Sequence, residues 1–103
     1  MIVPSHVLLL GRTPFNLPET ERELAAPGIT LHAGTSLDDV REIMRGCPIG
    51  TVIMGAGLDL ADRLAIVQYV FESSDATTVH MKDRLSGREG MIPFVRGVLR
   101  GLP

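Results

Sequence analysis

At 103 residues the chain has room for one α/β-sized domain, residues 1–103, by the usual scale of roughly 100–200 residues per domain. Hydrophobic residues make up 45% and charged residues 21%, ordinary globular proportions, and the net charge of −2 sets up no broad attraction to nucleic acid or to an anionic membrane. Aromatics at 4%, with no Trp, are too few for a base-stacking surface, and the one cysteine, Cys47, excludes an intrachain disulfide and a zinc site built on several thiolates.

The opening run MIVPSHVLLLG is too short and too interrupted for a signal peptide, and no stretch reaches the length of a membrane span. A cytoplasmic protein is expected, with no membrane and no nucleic-acid partner. A first strand is predicted at His6–Leu10, HVLLL. A short helix follows: Asn16 suits its cap, Pro18 its first turn and Glu19 a capping box, and Pro27-Gly28 ends it. The second strand is Ile29–Ala33, ITLHA. Ser36 then caps a helix with Asp39 three residues on, and Leu37, Val40, Ile43, Met44 and Cys47 share its apolar face. Gly46 and Pro48 stop it.

The third strand is TVIM, Thr51–Met54. A helix from about Leu60 to Glu72 is predicted next, with Asp59 as cap and Leu60, Leu64, Val67 and Phe71 as its inner face. Thr77–Lys82 makes the fourth strand. Ser86 and Glu89 repeat the capping spacing. Pro93 fits a first helical turn, and Phe94, Val95, Val98, Leu99 and Leu102 form the inner face of the last helix. Alternating strands and helices imply a parallel sheet covered on both faces. VLLL and TVIM are continuous apolar runs suited to buried central strands, whereas ITLHA and TTVHMK alternate as edges do. The order 2-1-3-4 follows, a four-stranded, three-layer α/β/α arrangement of flavodoxin-like or Rossmann-like type.

In that layout the chain resembles the receiver domains of response regulators. The resemblance is topological and runs over the whole chain, with four βα units where a receiver has five. Where a receiver carries paired acids after strand 1, this chain has Gly11-Arg12-Thr13; where it carries its phospho-accepting Asp, this chain has Gly55. Lys82 lies at a strand end. Without those carboxylates there is no Mg²⁺ cage, so the resemblance implies a pseudo-receiver that does not take up phosphate. The dinucleotide fingerprint G-x-G-x-x-G is met in part by Gly55-Ala56-Gly57-Leu58-Asp59-Leu60, which lacks the third glycine.

Ligands of open α/β sheets bind beyond the strand ends at the switch point, here between strands 1 and 3. Its lining is Gly11, Arg12, Thr13, Gly55, Ala56 and Gly57, with Arg12 the cation for a small anionic ligand. The Gly55–Gly57 stretch is read first as a tight turn whose helix is capped by the Asp59 carboxylate. His32 and His80 belong to opposite edges and His6 to a strand start, so the three are read as separate and no metal site is expected. Cys47 is read as a buried structural thiol. Ile66, Tyr69 and Val70 of the third helix, with His80 on the fourth strand, are the expected contact patch of a homodimer or a protein partner, and Lys82 and His80 are read as guards against edge pairing. No catalytic residue and no cofactor are assigned. The sequence is read as a non-catalytic interaction module; the alternative is a domain or enzyme subunit that binds a nucleotide or other anionic small molecule at the crest.

Overall fold

Four strand–helix units follow one another along the chain in a computed structural model that describes residues 5–85 and 87–101. The elements are β1 (Ser5–Leu10), α1 (Leu17–Leu24), β2 (Ile29–Gly34), α2 (Leu37–Gly46), β3 (Thr51–Met54), α3 (Leu60–Ser73), β4 (Thr78–Met81) and α4 (Met91–Arg100), the last entered through a 3-10 turn at Arg88–Gly90. All strand pairs are parallel and the sheet order is β2-β1-β3-β4. This is the three-layer α/β/α arrangement that the strand patterns predict. No described helix is long and apolar enough to cross a membrane.

The side-chain alternation of the strands divides the core in two. Leu8, Leu10, Val52 and Met54 face α2 and α3, where Val40, Ile66 and Val70 cover them. Val7, Leu9, Leu31 and Ile53 face α1 and α4, covered by Leu24 and Val95. The central strands β1 and β3 are buried on both faces, and β4 is the most exposed strand. That difference is what continuous apolar runs and alternating runs encode.

Local chemistry sets the helix ends. Asn16 Oδ1 accepts the Glu19 N–H (3.2 Å) at the start of α1. This helix stops at Leu24, ahead of Pro27-Gly28, because Ala25 turns into the left-handed region (φ 46°, ψ 48°). At α2, Ser36 Oγ accepts the Asp39 N–H (3.2 Å), and Asp39 Oδ2 in return accepts the Thr35 N–H (2.8 Å) and Thr35 Oγ1–H (3.2 Å). The Thr35 backbone bond, chiefly, holds the Asp39 carboxyl below the usual carboxylate range. The turn is close: a Cβ at Gly34 would stand 2.9 Å from Asp39 Cβ. Pro93 falls in the first turn of α4, as predicted. Ser86 and Leu102, predicted at the start and on the inner face of that last helix, lie outside the described residues.

Helix α3 departs from expectation. Ile66 and Val70 are fully buried, whereas Leu60, Leu64 and Phe71 are 62%, 59% and 60% exposed. Leu60, Leu64 and Phe71 of the predicted inner face therefore point outward, whereas Val67 packs against the core. Ile66 and Val70 pack in the core and are not available to a partner. Tyr69 is half-buried, with the Arg41 guanidinium of α2 5.7 Å above its ring. The physical reason is that α3 is apolar around most of its circumference, so two stripes fit a helical period. Which one turns inward depends on where the helix lies across the sheet. At 100° per residue, Tyr69 stands about 180° around the helix from Leu60, and Leu60, Leu64 and Phe71 fall within about 40° of one another. The Tyr69 side meets α2, so the exposed stripe lies on the part of the helix turned away from α2.

Candidate functional site

The strand register brings the predicted crest together. Leu10 and Met54 are register partners, and beyond them Gly55 N–H donates to the Leu10 carbonyl (2.8 Å). Gly11 N–H bonds the Gly34 carbonyl (3.3 Å), and Lys82 N–H bonds the Met54 carbonyl (2.9 Å). These bonds tie the four strand ends into one rim. Gly57 then passes against Arg12: a Cβ there would lie 3.1 Å from Arg12 Cβ. Gly57 thus lies against Arg12, and Gly55 against the end of β1, between β1 and β3. Arg12 and Thr13 are exposed.

Asp59 behaves differently from its expected role. It occupies the N-cap position of α3 with extended backbone, but its carboxylate makes no capping hydrogen bond. The self-capped turn is corrected to an open helix end with an exposed acid beside it. Among the described residues, the group of three or more His, Cys, Asp or Glu side chains whose ligand atoms come together is His6, His32 and Cys47, not at this rim. Lys82 is only 4% exposed, and its Nζ donates to the Asp83 carbonyl (2.9 Å). Its ammonium is therefore turned away from the β4 edge and does not guard it. His80 is half-buried on that edge, with its Nε2 3.2 Å from Thr78 Oγ1. Two shallow concavities lie elsewhere, on the α1–α4 side, one along Glu21, Pro27 and Thr30 and the other along Ala25, Arg96 and Arg100.

A feature that sequence reasoning missed sits at the opposite end of the sheet. His6 Nδ1 and His32 Nε2 lie 3.0 Å apart in a hydrogen bond, their rings 5.2 Å apart between centroids. The parallel register sets Thr30 beside His6 and His32 beside Leu8. Both histidines are therefore on the α2 face, one residue pair apart on neighbouring strands. Cys47, the C-cap of α2, closes over them, and the ligand atoms of all three lie within 4.8 Å of one another. Burial first, and then the neighbouring His6, push the His32 pKa below its ordinary value. The expectation of separate histidines holds for His80 and is corrected for His6 and His32. The missed signal was facing parity: His6 and His32 share a sheet face only in this register, which a strand pattern alone does not supply.

Among the described residues, the exposed large hydrophobics Leu60, Leu64, Phe71, Met81 and Leu85 lie on α3, β4 and the loop after it. Arg63 Nε, also on α3, is a buried polar atom left without a hydrogen bond. Comparison with known proteins finds no family model, no curated protein and no solved structure that matches the chain.

Proposed function

We propose that this protein is a non-catalytic interaction module, receiver-like in layout but without the phosphorylation site, that works as a homodimer through α3 and the β4 edge. The observation that carries the reading is the exposed stripe Leu60–Leu64–Phe71 on the helix that leads into the edge strand β4. Exposed contiguous apolar surface beside an open sheet edge is what a partner covers. A second copy is the occupant that fits. The stripe holds no charge, so a two-fold axis lays like against like without repulsion, and β4, TVHM, has no charged residue along its edge. An interface of ordinary size takes about 800 Å² from each partner, against 6528 Å² for the whole described surface. It therefore has to include the full flank of α3, the β4 edge and the loop through Leu85. Sedimentation equilibrium tests the proposal: the chain is expected to be dimeric, and Leu64→Glu with Phe71→Glu monomeric but folded. A wild-type chain that stays monomeric at high micromolar concentration overturns it.

A second reading rests on the convergence of Gly11–Thr13 with Gly55–Gly57 and on the uncapped start of α3. In it the rim binds a small anion, with Arg12 as counter-charge. Inorganic phosphate and adenine nucleotides are expected to raise the melting temperature in the wild type and not in Arg12→Ala. No shift with either probe removes this reading.

A further inference from the structure

We infer that His6, His32 and Cys47 form a binding site for a late first-row transition metal, held by two imidazole nitrogens and one thiolate with a fourth position open. The argument begins with the backbone, because a metal site is only as good as the positioning of its ligands. The β1–β2 register fixes His6 relative to His32. The loop that carries Cys47 is fixed in turn: Cys47 N–H bonds the Ile43 carbonyl (3.0 Å), Ile49 N–H bonds the Cys47 carbonyl (3.0 Å), and Gly50 N–H bonds the carbonyl of His6 itself (3.1 Å). Main-chain hydrogen bonds thus lock all three ligand-bearing residues into one frame.

The distances suit a metal after a small adjustment. Zinc holds nitrogen at about 2.0–2.1 Å and sulfur at about 2.3 Å, so ligand atoms of a tetrahedral site stand roughly 3.3–3.6 Å apart. The histidine pair starts at 3.0 Å and the whole set is within 4.8 Å. Side-chain rotation alone bridges the difference. Donor chemistry excludes Mg²⁺ and Ca²⁺, which take oxygen ligands, and favours zinc or copper, which take imidazole and thiolate together. All three residues are half-buried, so the ligands are shielded yet open to a metal from solvent. The site is on the β1–β2 side of the sheet, away from the β4 edge, so metal binding and dimerisation succeed or fail separately.

The test uses the full chain, freed of metal with chelator. Titration with Co²⁺ is expected to give visible absorption of a four-coordinate ion and a near-ultraviolet thiolate-to-cobalt band, with an end point of one ion per chain. One equivalent of Zn²⁺ is expected to abolish both bands. Cu⁺ in place of Zn²⁺ distinguishes the two occupants by which is displaced. Mg²⁺ leaves the spectrum unchanged. The near-isosteric variants His32→Gln and Cys47→Ser are expected to lose the bands while keeping the wild-type far-ultraviolet circular dichroism. A second readout needs no variant: alkylation of Cys47 by iodoacetamide slows about tenfold once free zinc reaches about ten times its dissociation constant. Alkylation that is unchanged by zinc and copper, or cobalt bands that survive in Cys47→Ser, overturns the inference.

Discussion

The two edges of the sheet are finished in opposite ways. At β2 the polar residue that faces the helix layer, His32, is bonded to His6 and roofed by the end of α2, so the chain supplies its own partners. At β4 the strand is short, Met81 is exposed, and the helix that leads into it carries the exposed Leu60, Leu64 and Phe71. An edge strand paired or covered within the molecule is closed to other chains, while one flanked by bare apolar surface is not. The same βα rule therefore leaves two edge strands with different flanks, and the apolar flank is where a partner is sought.

The contrast is broken most directly on α3. Ile66→Ala removes a fully buried side chain and is expected to cost about 2–5 kcal/mol, whereas Leu64→Ala, on the exposed stripe, changes monomer stability by about 0.5 kcal/mol or less. Urea unfolding of the two variants at low protein concentration measures both; equal losses would mean the stripe is not free. Next in size is association. Loss of the apolar anchors in Leu64→Glu with Phe71→Glu is expected to weaken the dimer by about 2 kcal/mol or more, read as a rise of at least about thirtyfold in its dissociation constant by sedimentation.

The closed side is probed by smaller changes. Asp39→Ala removes an acceptor that holds Thr35 at the start of α2 and is expected to cost about 1 kcal/mol. The Asp39 carboxyl is held below its ordinary value of 3.8. Its contribution is therefore present above that pH and disappears as the pH falls through the lower, folded-state value. The smallest effect belongs to His32, whose folded-state value lies below 6.5. The unfolded chain takes up that proton first, so stability is complete above pH 6.5 and declines as the pH falls towards the folded-state value. In metal-free protein, His32→Gln is expected to flatten that decline; an unaltered pH profile of the melting temperature would show that the buried histidine is not its source.

The sheet was legible because burial on two faces and burial on one leave different residue patterns. VLLL and TVIM ended up in the middle and ITLHA and TVHM outside, as their composition implies. The crest was legible for the same reason, since strand order alone places Gly11 beside Gly55. Helix α3 was not, because Leu60, Leu64, Val67 and Phe71 repeat as regularly as a buried stripe. Leu60, Leu64 and Phe71 turn outward because Ile66 and Val70 make a second apolar stripe, and it is that one that packs on the sheet. The His6–His32–Cys47 group was hidden by distance in sequence: three residues from two strands and a helix end meet only when register and facing are both known. Asp59 shows a third limit. A good capping residue in the capping position is a matter of composition, but whether its carboxylate reaches the amides is a matter of rotamer.

Ala25 gives the first helix its abrupt end by entering a conformation that L-amino acids other than glycine and asparagine avoid. Holding alanine there costs about 1–2 kcal/mol, and glycine would relax it at an entropic cost of about 0.5–1 kcal/mol in the unfolded chain. The native sequence thus keeps a sprung joint between α1 and β2, and a single methyl removed from it is a route to greater heat resistance that leaves the sheet, the rim and both edges as they are.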